Sequence, residues 1–100
     1  MNRVESLYKK IIELVCRECN TDPIMMFSNN KEKNVDARGI AIVLLTEYKF
    51  SENLISEYSG LTQQAVNRLK NIYPDRIRRH FLLNGVVQQI HNELTITSQQ

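Results

Sequence analysis

Apolar residues recur at intervals of three and four along most of this chain, and that spacing is the period of an α-helix packed on one face. It is clearest in residues 2 to 19, where Val4, Leu7, Tyr8, Ile11, Leu14 and Val15 form a stripe and Lys9, Lys10, Glu13 and Arg17 fall mostly off it. No run alternates apolar and polar residues, and no Asn-Gly or Asp-Gly turn joins two β-branched segments, so strand signals are nearly absent. The expected fold class is therefore all-α. With 100 residues and three glycines, the chain is sized for one compact helical bundle of about five to six helices rather than two domains.

Capping residues divide the pattern. After the first amphipathic helix, Thr21-Asp22-Pro23 reads as a cap followed by proline in a first turn, opening a short helix through Ile24, Met25, Met26 and Phe27. Residues 28–34 form a polar loop with two lysines. Residues 35–49 are apolar over so much of the circumference that they predict the central helix. Gly39 lies within it, at a cost of about 1 kcal/mol of helix propensity relative to alanine, which implies close approach of a neighbouring helix or of a ligand backbone, with helix packing the favoured expectation. Ser51 caps a helix to Glu57 or Tyr58, Gly60 ends it, and Thr62 caps another to about Ile72. Pro74-Asp75 opens a last helix to about Leu94. This gives one domain over 1–94 and a frayed tail over 95–100.

A chain of this size buries roughly 60 to 70% of its unfolded surface, which is enough for one core but not for a core plus a large internal cavity. A small binding module fits that limit better than an enzyme. No stretch approaches a membrane span, and the first residues lack the apolar run of a secretory signal, so the expectation is a cytoplasmic protein with no membrane partner. Cys16 and Cys19 have C-x-x-C spacing. Only His80 and His91 are available to complete a metal site, so the expectation is two small semi-buried side chains and no metal. No G-x-x-x-x-G-K-[ST] loop can be written with glycines at 39, 60 and 85, which argues against nucleotide as a ligand. No nucleophile, base and orienting group come together, so neither catalysis nor a cofactor is expected.

The formal net charge of +2 is a weak bias, but it is unevenly spread. Residues 1–60 hold 8 basic and 9 acidic groups, and residues 61–100 hold 5 and 2. Within that acid-poor half lies most of the segment 52–72, ENLISEYSGLTQQAVNRLKNI, which has the punctuation of a helix-turn-helix. Gly60 supplies the turn, Ile55, Leu61, Val66 and Leu69 the apolar contacts between the two helices, and Ser56 a small residue where they approach. The first turn of the second helix would enter a DNA major groove. It presents Thr62, Gln63, Gln64 and Asn67 as base-reading candidates, since amide side chains can pair with the edge of adenine. No acidic residue occurs between Glu57 and Asp75. Candidate phosphate contacts are Lys31, Lys33, Arg38, Arg68, Arg78 and Arg79. Arg76, Arg78 and Arg79 cluster just past Pro74, where a cationic helix start would oppose the macrodipole and favour an external anion.

The order of elements resembles the C-terminal DNA-binding domain of the bacterial replication initiator DnaA, without its ATPase module. A long helix precedes a short apolar turn ending in Phe27-Ser28, a basic loop, a helix containing VDARGIAIVLL and then the helix-turn-helix. The resemblance covers roughly residues 8 to 94. Arg38 falls on the family's phosphate-contacting arginine, but Gly39 stands where that family has a glutamine. Gly60 and Val66 match the ends of its signature, while Thr62-Gln63-Gln64-Ala65 replaces the Asp-His-Thr-Thr that reads the initiator's box. The minor-groove arginine falls on Asn30, leaving Lys31 and Lys33 as substitutes. GLTQQAV is also similar to the start of the recognition helix in lambdoid phage repressors, where paired glutamines read bases.

These resemblances imply sequence-specific binding of duplex DNA in replication or transcription control of a bacterial or mobile-element locus, at a site other than the initiator's own box. A homodimer or protein partner would raise the modest affinity of one domain on one short site. The competing expectation is a helical protein-protein interaction module that has lost DNA binding, with its contact surface near Met25, Met26 and Phe27 or on the first helix.

Overall fold

The computed structural model describes residues 2–98. They form six α-helices: α1 (Arg3–Cys19), α2 (Pro23–Ser28), α3 (Glu32–Glu47), α4 (Glu52–Ser59), α5 (Gln63–Arg79) and α6 (Phe81–Ser98). No strand occurs among the described residues. The expected all-α bundle is present, measuring 35 × 30 × 22 Å. No described helix is long and apolar enough to cross a membrane.

Local chemistry starts the helices. Asn2, Asp22, Ser51 and Thr62 adopt extended backbone, and their side-chain oxygens accept from the N–H groups of Glu5, Met25, Leu54 and Ala65 respectively. Each such bond satisfies a donor that the helix itself leaves open, and loss of one costs about 1 kcal/mol. Pro23 occupies the first turn of α2, where its missing N–H removes nothing.

Helix α3 is the axis of the bundle. It is buried from Gly39 to Leu45 without interruption and packs against each of the other five helices. The tightest approach is to α5. A Cβ built on Gly39 would lie 2.3 Å from the Tyr73 ring, so the aromatic ring rests directly on the α3 backbone. Beside it, the buried Asp36 carboxylate accepts from the Tyr73 hydroxyl at 2.8 Å and from Arg76 Nε at 2.9 Å. The glycine thus marks a packing contact between helices, and the polar clasp next to it fixes the two helices in register.

Boundaries differ from the sequence reading in three places. First, α3 begins at Glu32, three residues earlier than expected. The Lys31 carbonyl already accepts from Asn34 and Val35, and the Glu32 carboxylate favours a helix N-terminus. Second, α5 does not stop near Ile72 but runs through Pro74 to Arg79. Proline forfeits the bond to the Lys70 carbonyl. Burial of Tyr73 and Ile77, four residues apart on either side of the ring, offsets that loss. The break falls instead at His80, whose backbone is extended (φ −109°, ψ 109°). Third, α6 starts at Phe81 and its helix continues to Ser98, so residues 95–98 of the expected tail are helical and residues 99–100 lie outside the described residues.

Candidate nucleic-acid interface

Helices α4 and α5 are joined by a three-residue turn built as the sequence predicts. Gly60 takes φ +82°, a left-handed conformation that side chains resist, although a Cβ there would meet open space. Ile55 and Val66 are fully buried between the helices, and Leu61 and Leu69 pack partly buried against the same core. Ser56 does more than stay small. Its hydroxyl donates to the Leu61 carbonyl at 2.6 Å, tying α4 to the far side of the turn.

Residues three and four apart share a helix face, and the polar residues of α5 fall on two such stripes. On the first, Gln63, Asn67 and Lys70 meet the start of α4. Gln63 Nε2 donates to Asn53 Oδ1 at 2.8 Å, and Glu52 Oε2 accepts from Asn67 Nδ2 at 2.9 Å and from Lys70 Nζ at 3.2 Å. Hydrogen bonds from Asn67 and then Lys70 hold the Glu52 carboxyl below the usual carboxylate range, so it is ionised at neutral pH. On the second stripe, Gln64 and Arg68 are exposed and have no side-chain hydrogen-bond partner among the described residues. Thr62 precedes both stripes, and its hydroxyl serves as the α5 cap. Of the four base-reading candidates, Gln64 is thus uncommitted, while Gln63 and Asn67 are held by α4 and Thr62 by its own helix.

Behind Arg68 lies a groove of about 340 Å³ lined by Asn30, Val35, Arg38, Leu61, Ala65, Arg68 and Leu69. It brings together two guanidinium groups that are 30 residues apart in sequence. Arg38 Nε and one terminal nitrogen donate to the carbonyls of Met26 and Asn29, each at 2.8 Å, closing the end of α2. No described carboxylate pairs with Arg38 or Arg68. Guanidinium carries five N–H donors, so three on Arg38 are left for another acceptor.

The other basic candidates are dispersed. Lys31, the residue before α3, is exposed next to Asn30 in the chain. Lys33 lies within α3, and its Nζ donates to the Asn20 carbonyl at 2.9 Å, at the end of α1 and away from the Arg38 groove. Arg76 is committed to Asp36 and Glu32. Arg78 and Arg79 share the Asp75 carboxylate and remain largely exposed. All three of these arginines belong to the last turn of α5, where cations complement the helix dipole. This corrects the reading of a cationic helix start seeking an anion. The basic side chains are thus distributed over the start of α3, the Arg38 groove and the last turn of α5.

Sequence inspection missed Glu52, Asn53 and Asp36. The carboxylates looked like ordinary first-turn and surface residues, and their partners lie 15 to 40 positions away. Cys16 is buried and Cys19 half-buried, and both thiols are free. Burial pushes each up to about 11, so both are protonated near neutral pH, opposite to the thiolate character of a reactive pair. No cluster of three His, Cys, Asp or Glu side chains among the described residues is placed to hold a metal ion. No family model matches the chain, and neither curated proteins nor solved structures supply a match.

Proposed function

We propose that this protein binds duplex DNA sequence-specifically, as a DnaA-like helix-turn-helix domain in which α5 is the recognition helix. The observation that carries the reading is the pairing of an exposed, uncommitted Gln64–Arg68 stripe with the Arg38 groove immediately behind it. An amide at the start of a recognition helix meets base edges, and the two guanidinium groups gathered in the groove behind it meet adjacent phosphates. In this reading Lys31, Arg38 and Arg68 bind phosphate, and Gln64 with Gln63, Thr62 and Asn67 faces the bases. The protein would act inside the cell on a bacterial or mobile-element locus. Selection of bound sequences from a random duplex pool tests it: enrichment of a defined site is expected, and a pool that stays random after repeated selection overturns base reading.

A second reading, a protein-interaction module, draws on two observations. The basic groups are divided among separate places, and Phe81 and Leu82 at the start of α6 are 89% and 69% exposed. At the surface expected for this reading, Ile24 and Met25 are exposed, whereas Met26 is fully buried and Phe27 half-buried. A chain that enriches no DNA but loses a partner on Phe81→Ser would fit this second reading.

A further inference from the structure

We infer that the groove where the start of α1 meets the α3–α4 connection docks a helix of a partner protein, apolar on one face and bearing carboxylates beside that face. The groove measures about 340 Å³ and shares no lining residue with the Arg38 groove, so the inference stands apart from the DNA-binding reading. Val4, Leu7, Phe50 and Leu54 supply its apolar wall, and Val4 is left 44% exposed. Arg3 and Lys49 line the same groove. Both are exposed, and neither side chain has an ion-pair or hydrogen-bond partner among the described residues.

Both cations stand where local backbone chemistry favours another residue. Helix α3 closes with the Lys49 N–H donating to the Thr46 carbonyl and the Phe50 N–H to the Leu45 carbonyl, each at 3.0 Å. This paired closure needs a left-handed residue, a conformation that glycine and asparagine adopt most easily. Helix α1 closes by the same two bonds, from Asn20 to Arg17 and from Thr21 to Cys16, and there the left-handed residue is Asn20. At the end of α3 it is Lys49, with φ +73°. Arg3 is the first residue of α1, where the helix dipole favours an acid. Two unpaired cations in such positions, both on one apolar groove, complement an acidic partner.

Shape decides what carries the acids. A small-molecule site encloses most of its ligand, whereas this groove lies open to solvent and covers one side of an occupant. A groove between helices receives the ridge of another helix, with apolar anchors three or four residues apart. Carboxylates flanking those anchors would meet Arg3 and Lys49 and accelerate the encounter.

Selection of displayed random peptides about four helical turns long against the whole chain tests this. Enriched sequences should carry apolar residues at three- and four-residue spacing and an excess of Asp and Glu. Their synthetic peptides, measured by fluorescence anisotropy, should bind Val4→Asp roughly tenfold more weakly, as for loss of an apolar anchor; position 4 is exposed, and circular dichroism checks that the variant stays folded. Lys49→Gly should bind roughly threefold more weakly, the order of one exposed ion pair, yet unfold at higher urea because glycine suits the left-handed position. Arg3→Glu should likewise lose affinity and gain stability. Enriched peptides without an acidic excess, affinities unchanged in Val4→Asp or Lys49→Gly, a lower urea midpoint for Lys49→Gly, or no enrichment overturns the inference. So does a dimer in sedimentation that Val4→Asp dissociates, which would give the groove to a second copy.

Discussion

Gly39 and Gly85 occupy helices of the same fold and should respond oppositely to the same substitution. A Cβ at Gly39 would sit 2.3 to 2.4 Å from three atoms of the Tyr73 ring, whereas at Gly85 nothing lies within 4 Å. Gly39→Ala should therefore destabilise by about 1 to 3 kcal/mol through overpacking. Gly85→Ala should stabilise by up to about 1 kcal/mol through helix propensity. Urea unfolding of the two variants checks both signs. The same contact leaves no room for a longer side chain such as glutamine at position 39. On the proposed DNA-binding surface, Gln64→Ala should relax preference at one base position by about 1 to 3 kcal/mol. Arg38→Ala should weaken all duplexes alike, because phosphate contacts carry no sequence information. Titration against the enriched site and a scrambled duplex separates the two effects.

At the scale of the element, α3 and α5 are joined by the Asp36–Tyr73–Arg76 clasp. Burial by itself would raise the Asp36 carboxyl, but the hydrogen bonds from Arg76 and Tyr73 outweigh it and hold the carboxyl below its usual range. A lowered carboxylate stabilises the fold above the unfolded pKa of about 4, and this contribution is lost as pH falls through the folded value. Tyr73 behaves in the opposite sense. Burial and the Asp36 carboxylate push its hydroxyl from 10.0 to about 12, so its contribution is complete below 10.0 and disappears as pH rises through about 12. Thermal unfolding as a function of pH should thus fall off at both ends, and Tyr73→Phe should reduce the alkaline loss. The residual slope belongs to Tyr8, also pushed up to about 12 by burial, and to Cys16 and Cys19, pushed up to about 11. Asp36→Ala should cost about 1 to 3 kcal/mol by leaving the Tyr73 hydroxyl and the Arg76 donors unpaired. Adding Tyr73→Phe should cost less than it does in the wild type, since the orphaned hydroxyl is removed with it.

For the whole molecule, charge placement would govern how the proposed DNA binding depends on salt. A net charge of +2 gives little non-specific attraction, and the proposed phosphate contacts are Arg38 and Arg68, which line one groove, and Lys31, the chain neighbour of the groove residue Asn30. Three phosphate contacts imply that the logarithm of the association constant falls against the logarithm of salt concentration with a slope of about −3. A slope near −6 in fluorescence anisotropy would show that Lys33, Arg78 and Arg79 also reach the backbone. Replacing Arg68 should make the expected slope shallower by about 1.

Much of the architecture was legible in the residues themselves. Helical spacing, the caps at Asp22, Ser51 and Thr62, and the turn at Gly60 are local features, and local backbone and hydrogen-bond chemistry decides them. The sequence also marks the α4–turn–α5 segment and its run of amides, because apolar positions 55, 61, 66 and 69 answer packing demands within twenty residues. The path of α5 through Pro74 was not legible, since burial of Tyr73 and Ile77 overrides a local helix-breaking signal. Nor was the division of the candidate site. Gln64 and Asn67 are one helical turn apart and chemically alike in sequence, yet only the folded chain brings Glu52 against one and leaves the other to solvent. Helix identity is set by neighbours in the chain; which side chains are committed and which are available is set by neighbours in space.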